Sequence, residues 1–182
     1  MLVKYGAASD TGSLRVQNED SFLAKDGLFV VADGMGGHNA GEVASAMAIK
    51  MLDDAQSTGI ADANTLAEVI KQINKSIFEA AANQTDQRGM GTTITVLALT
   101  PSDNSTEVSA TVANIGDSRT YLLRNNEFRQ VSVDHSYVQE LVTEGLITRD
   151  EARTHARRNI VTRALGIDPN VAVDTWTLPL IS

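Results

Sequence analysis

The sequence predicts an α+β fold: a sandwich of two antiparallel β-sheets flanked by helices. Three observations predict it. Apolar, β-branched runs such as "LFVVAD" (Leu28 to Asp33) and "TTITVLAL" (Thr92 to Leu99) read as strands buried on both faces. Helical periodicity is gathered between them rather than after every strand. Strands without regular strand–helix alternation stack as antiparallel sheets covered by helices, not as a doubly wound sheet.

The elements follow in order. A strand after "RVQNED" leads to the Leu28–Asp33 strand. "AGEVASAMAIKML" places Ala40, Ala44, Met47, Ala48 and Met51 at helical spacing. Thr65 with Glu68 predicts a capping box for a second helix, whose stripe is Leu66, Val69, Ile70, Ile73 and Ile77. "PSDNS" (Pro101 to Ser105) is a loop before the return strand "EVSATVANIG". "RTYLLR" and "EFRQVS" flank Asn125-Asn126, a hairpin turn because asparagine tolerates positive φ. Ser136 with Gln139 and Thr148 with Glu151 predict two short capped helices. An arginine-rich excursion "THARRNIVTRALG" follows, and "VAVDTWTLPLIS" reads as a last strand. Residues 1–182 are expected to form one domain, with 134–166 a polar excursion from it.

Bulk properties exclude several classes. The 182 residues can bury a real core, and 42 % hydrophobic against 21 % charged residues is a globular balance. Fifteen basic and 23 acidic residues leave a net charge of −8, without the basic patch that nucleic acid requires. No run of about eighteen apolar residues offers a membrane span. The N-terminus lacks a signal-peptide layout, so a cytoplasmic location is expected. Cysteine is absent, so a metal would be held by oxygen or by one of three histidines.

Asp33 poses the chemical question. An acid at the end of a buried strand is costly unless it is paired or bound to a cation. The glycines after it, "DGMGG", let the backbone turn and expose carbonyl oxygens. Carboxylate and carbonyl oxygens suit magnesium or manganese; equally, Asp33 could cap a glycine-rich turn into the next helix. Glu19 and Asp20 are adjacent, so on an extended chain at most one of them faces Asp33. Asp117, in "NIGDSR", repeats the pattern of apolar run, then acid, in a loop. Two strand-end acids plus Arg15 are what phosphate chemistry needs, because an arginine fork can hold a phosphoryl group by two hydrogen bonds.

The stretches "SDTGSLRVQNED", "LFVVADGMGGHNAGEVAS", "MGTT", "ANIGDSRTYLLR", "VDHSYVQELVTEG" and "RNIVTRALG" together resemble, in order and spacing, the metal-dependent serine/threonine protein phosphatases of the PPM family, most closely its bacterial branch. The resemblance spans essentially the whole chain. It implies the sandwich fold and hydrolysis of phosphoserine or phosphothreonine by a water bridging two Mn²⁺ or Mg²⁺ ions. It implies that Asp33 bridges both metals and that the Gly34 carbonyl serves the second, with Glu19 and Asp20 near that ion. Arg15 would hold the phosphate, and Asp117 a third, weaker metal found in bacterial members. Segment 134–166 would be the flap beside the site. Phosphoproteins are the implied substrates and a serine/threonine kinase the implied counterpart.

Other residues carry two readings. Asp20 binds metal water or pairs with Arg15. His38 is a proton donor or a structural residue at a helix start. His155 belongs to the surface of the flap, and Ser118 is a turn hydroxyl rather than a nucleophile. Glu42 and Asp10 match family positions, Asp10 as a turn residue. The resemblance also breaks. The family adds a strand ending in Ser-Asp-Gly and later an Asp-Asn pair, both supplying ligands to the first metal. Asp168 and Asp174 lack that context, so the chain is expected to be incomplete at its C-terminus, missing the last strands and helix. It would then be weak or inactive alone. The alternative is a pseudophosphatase that binds phosphopeptides or regulates. A nucleotide-binding role for "DGMGG" is disfavoured, since no lysine or serine follows at phosphate-loop spacing.

Overall fold

The computed structural model describes residues 3–13, 16–25, 27–37, 40–57, 59–101 and 108–180. The main sheet is antiparallel. Strand β1 (Asp20–Lys25) pairs with β2 (Leu28–Met35), β2 with β4 (Ile94–Pro101), β4 with β5 (Val108–Ile115), and β5 with β8 (Asp174–Pro179). The two-residue strand β3 (Gly91–Thr92) extends the β4 side of β2. A separate hairpin, β6 (Tyr121–Arg124) with β7 (Glu127–Gln130), forms the second sheet among the described residues. The α+β class with antiparallel sheets is the one the sequence predicts.

One face of the main sheet is covered by α1 (Ala40–Gln56) and α2 (Ala63–Asn83). Leu28, Val30, Ala32, Ile94, Val96, Ala113 and Ile115 point into this core, against Ala44, Ala48 and Leu52 of α1 and Leu66, Ile70, Ile73 and Ile77 of α2. The α2 stripe is the expected one. Its cap differs: Asp62 is the N-cap and accepts from the Thr65 amide at 2.7 Å, so Thr65 is the residue capped rather than the cap. Asp and Thr three apart both satisfy the sequence pattern, and the chain uses the carboxylate, which complements the helix dipole.

Strand β2 is not buried on both faces. Leu28, Val30, Ala32 and Gly34 face the helices, whereas Val31 (45 % exposed) and Asp33 face outward beside Phe22. Tyr5 of the N-terminal segment meets Phe29 edge-on on this outer face, with ring centroids 5.5 Å apart. An apolar run reports that a strand is greasy, not which of its faces is covered.

The hairpin forms as read, with Asn125 and Asn126 at φ 52° and 63°. Arg119 anchors its base through a bidentate pair with the buried Asp134, Nε donating to Oδ1 at 3.0 Å and Nη2 to Oδ2 at 2.5 Å. The next excursion holds α3 (Tyr137–Thr143), capped by Ser136, and α4 (Arg149–Thr154), with a full Thr148–Glu151 capping box. The isolated bridge Ser136–Val161 draws its two ends together, and Thr92–Leu165 ties the far end to β3. Buried Asn74 of α2 holds the far end: its Oδ1 accepts from Gly166 N–H at 2.8 Å and its Nδ2 donates to Asp168 O at 2.9 Å.

Ile73 is wholly buried at the centre of the helix–sheet core. Ile73→Ala is expected to lower stability by about 2–5 kcal/mol in urea denaturation, the range for large-to-small core changes.

Candidate metal centre

Register decides which acids meet. Asp20 stands directly opposite Asp33 across β1 and β2. Directly opposed residues share a face of the sheet, so both carboxylates emerge on the outer side, and both residues are exposed. Glu19 is one residue earlier and faces the other way. A Cβ placed on Gly41 would lie 2.8 Å from Glu19 Oε1, which puts that carboxylate at the start of α1, where the helix dipole favours an anion. The alternation that allowed only one acid beside Asp33 thus selects Asp20.

Gly34 is where β1, β2 and α1 come closest. Its N–H donates to Glu19 O at 3.1 Å. Opposite it in register, Thr92 spends both its N–H and its C=O on Leu165, at 3.1 and 2.9 Å. Gly34 and Thr92 are therefore a non-hydrogen-bonded pair, and the Gly34 carbonyl points toward the β1 side. A side chain at Gly34 would collide with the Gly41 carbonyl, so only glycine permits this approach. Ser45 of α1, fully buried, donates to Glu19 O at 2.7 Å and fixes the same corner.

Thr93 is the residue that sequence reasoning missed. The Asp33 amide donates to Thr93 Oγ1 at 3.0 Å. The Asp33 carbonyl accepts from Thr93 N–H at 2.9 Å and from Thr92 Oγ1 at 3.0 Å. Thr93 Oγ1 is also 2.7 Å from Ser118 Oγ, beside Asp117. One buried hydroxyl therefore links the Asp33 backbone to the side chain of Ser118, the residue after Asp117. Its only sequence signal was a pair of threonines in an otherwise apolar strand. Ser118 lies in the loop after β5 with its hydroxyl engaged by Thr93.

Asp117 is half-buried, and its carboxyl lies above the usual carboxylate range. Burial is the main cause and the neighbouring Asp134 adds to it, while its own backbone amide and Arg119 pull the other way. Arg15 and His38 lie outside the described residues. Glu42 is in the first turn of α1, with its carbonyl accepting from Ser45 Oγ at 3.1 Å. His155, at the end of α4, packs its ring 6.0 Å from that of Tyr137. Among the described residues, no three His, Cys, Asp or Glu side chains converge on one point. What converges is one carboxylate pair and one carbonyl, all oxygen. That donor set fits a hard, hydrated cation such as Mg²⁺ or Mn²⁺, which keeps several of its waters and takes one or two carboxylates.

The fold is an α+β sheet with paired carboxylates at a strand end, a candidate oxygen-donor site for a hard cation. Residues 9–141 match the family model of protein phosphatase 2C. The serine/threonine phosphatase stp of Listeria welshimeri is 42 % identical over 182 residues, covering 94 % of this chain and 70 % of that protein. The crystal structure of serine/threonine phosphatase Stp1 from Staphylococcus aureus superposes with a TM-score of 0.85 at 36 % identity, over 94 % of this chain and 69 % of that one. The catalytic domain of the serine/threonine protein phosphatase PstP, in complex with two manganese ions, superposes with a TM-score of 0.81 at 35 % identity, over 96 % and 72 %. The chain belongs to the protein phosphatase 2C family.

Two predictions follow from this geometry. Thr93→Val keeps the branched shape but leaves the Asp33 amide without its acceptor. It is expected to cost about 1–3 kcal/mol and to quicken hydrogen exchange at that amide, read by NMR. The second concerns Asp174 on β8. Burial pushes its carboxyl up, but hydrogen bonds from His135 and Arg163 together outweigh burial and hold it below its ordinary value of 3.8. A depressed folded value means that ionised Asp174 contributes stability above the unfolded value, lost as pH falls through the folded one. Below pH 3.8, wild type is expected to lose stability more steeply than Asp174→Asn in acid titration followed by circular dichroism.

Proposed function

We propose that the protein hydrolyses phosphoserine and phosphothreonine esters of phosphoproteins, with Mn²⁺ or Mg²⁺ as cofactor. The observation that carries this reading is the Asp20–Asp33 rung, two carboxylates opposed at a strand end beside a glycine carbonyl turned toward β1. Like charges opposed across strands are unfavourable alone, and a divalent cation between them reverses that sign. The names and the manganese complex of the relatives support the substrate class and the metal.

In the proposed mechanism Asp33, Asp20 and the Gly34 carbonyl would hold the cations, while Glu19, whose carboxylate lies at the start of α1, stands outside that ligand set. Asp117 serves a further, weaker ion. When bound, these ions supply Lewis acidity and lower the pKa of a water. Arg15 grips two phosphoryl oxygens with its guanidinium fork and turns the phosphorus toward that water. Hydrolysis would transfer the phosphoryl group to water, forming a new phosphorus–oxygen bond as the bond to serine or threonine breaks. The leaving oxygen takes a proton, for which His38 is the candidate donor, and departs as a hydroxyl. Segment 134–166 is proposed as the flap beside this site. The substrates imply a kinase that transfers phosphate to serine and threonine, and the cytoplasm, where such a kinase finds its nucleotide, is the proposed compartment. No helix among the described residues is long and apolar enough to cross a membrane.

The test couples binding to turnover. Mn²⁺ is expected to raise the melting temperature of the wild type, since a ligand that binds only the folded state stabilises it. Asp33→Asn is expected to remove that shift together with any hydrolysis of p-nitrophenyl phosphate or a phosphothreonine peptide. Undiminished hydrolysis in Asp33→Asn overturns the mechanism. Peptide binding that persists in the wild type with no phosphate release would instead favour a phosphopeptide-binding role.

A further inference from the structure

A buried histidine that the proposed chemistry does not use sits between the end of β5 and the root of segment 134–166. His135 is 7 % exposed. It meets Gly116 twice. Its backbone N–H donates to Gly116 O at 2.9 Å, and its ring Nδ1 accepts from Gly116 N–H at 3.0 Å. Both polar groups of one glycine are thus held by one residue. On its other side, His135 O accepts from Thr162 N–H at 2.9 Å, closing the far end of the segment onto the same point.

The ring's remaining nitrogen completes the account. Nε2 lies 3.2 Å from Asp174 Oδ2, and Arg163 Nη1 donates to Asp174 Oδ1 at 2.8 Å. An Nδ1 that accepts an amide proton carries none of its own, so the neutral ring has its hydrogen on Nε2, directed at Asp174. The 2.9 Å approach of Arg163 Nη1 to Nε2 is then two donors converging on one carboxylate, not a hydrogen bond between them.

Gly116 needs such a clamp. Its φ is +100°, and a Cβ there would fall 2.6 Å from Thr93 Cβ. It is the pivot between β5 and Asp117. The Asn114 amide donates to the same Gly116 carbonyl at 3.1 Å.

We propose that His135 is a positioning residue for the metal centre: through Nδ1 and its own amide it fixes the Gly116 backbone, and so the direction in which Asp117 presents its carboxylate. The inference rests on the reading of Asp117 as a metal ligand. It also makes His135 the joint between that ligand and segment 134–166. The role belongs to Nδ1 as an acceptor, not to a charge on the ring.

Isosteric replacement separates the two ring nitrogens. In His135→Asn the amide oxygen takes the place of Nδ1; in His135→Gln the amide reaches the place of Nε2. Mn²⁺ binding to the full chain, without substrate, is read by paramagnetic broadening of the Asp117 amide, with melting temperature measured alongside. Removing an outer partner of a ligand typically weakens metal affinity 10–100-fold. His135→Gln is expected to weaken binding at Asp117 about tenfold or more, and His135→Asn to retain it within about twofold. Ring ¹⁵N shifts of the wild type are expected to report an unprotonated Nδ1. Equal loss in both variants, following melting temperature, overturns the proposal, as does a protonated Nδ1. Asp117→Ala is the control. If it leaves broadening intact, the ligand reading falls and this inference with it; if it abolishes broadening while His135→Gln does not, the inference alone falls.

Discussion

The rung between Asp33 and Thr93 is the constraint on which the rest of the site depends. An ordinary antiparallel rung trades two backbone hydrogen bonds. Here one is kept, and the Thr93 hydroxyl replaces the other. The substitution frees that hydroxyl to lean toward Ser118 at the neighbouring strand end. One buried oxygen thus ties Asp33 to Ser118, the neighbour of an acid 84 residues further along the chain. The Asp20 carboxylate and the Gly34 carbonyl both take their positions from β2 being fixed at that point.

Much of the fold was legible because it follows from periods. The α2 stripe, the asparagine turn and the Thr148–Glu151 box are local patterns with local causes, and each formed as read. What was not legible required knowing which chain segment lies opposite. The run Phe29 to Ala32 could not announce that Val31 faces outward, since apolar identity is the same on both faces. Glu19 and Asp20 were separable in principle by alternation, but choosing between them needed the β1–β2 register. Thr93 and His135 act through long-range contacts, and nothing in their own neighbourhoods distinguishes them from a strand threonine and a loop histidine.

The polar residues near the site show where the fold accepts cost. Asp117 is held half-buried near Asp134, and both burial and that neighbour disfavour its charge. Asp134 itself is compensated by the bidentate Arg119 pair. The contrast separates an acid built to brace a hairpin from one left electrostatically dissatisfied.

Segment 134–166 has a pinched neck: Ser136 bridges Val161, His135 receives the Thr162 amide, and Asn74 secures Gly166. Once the core closes a loop at its base, the entropy of lengthening it grows only logarithmically with the residues added. The neck therefore divides the labour of sequence change. The few residues at the base are tied to the sheet and to one another, while the interior can be lengthened, recharged or exchanged without asking the core for permission. A segment of that kind can change in sequence and length while the sheet beneath it stays still.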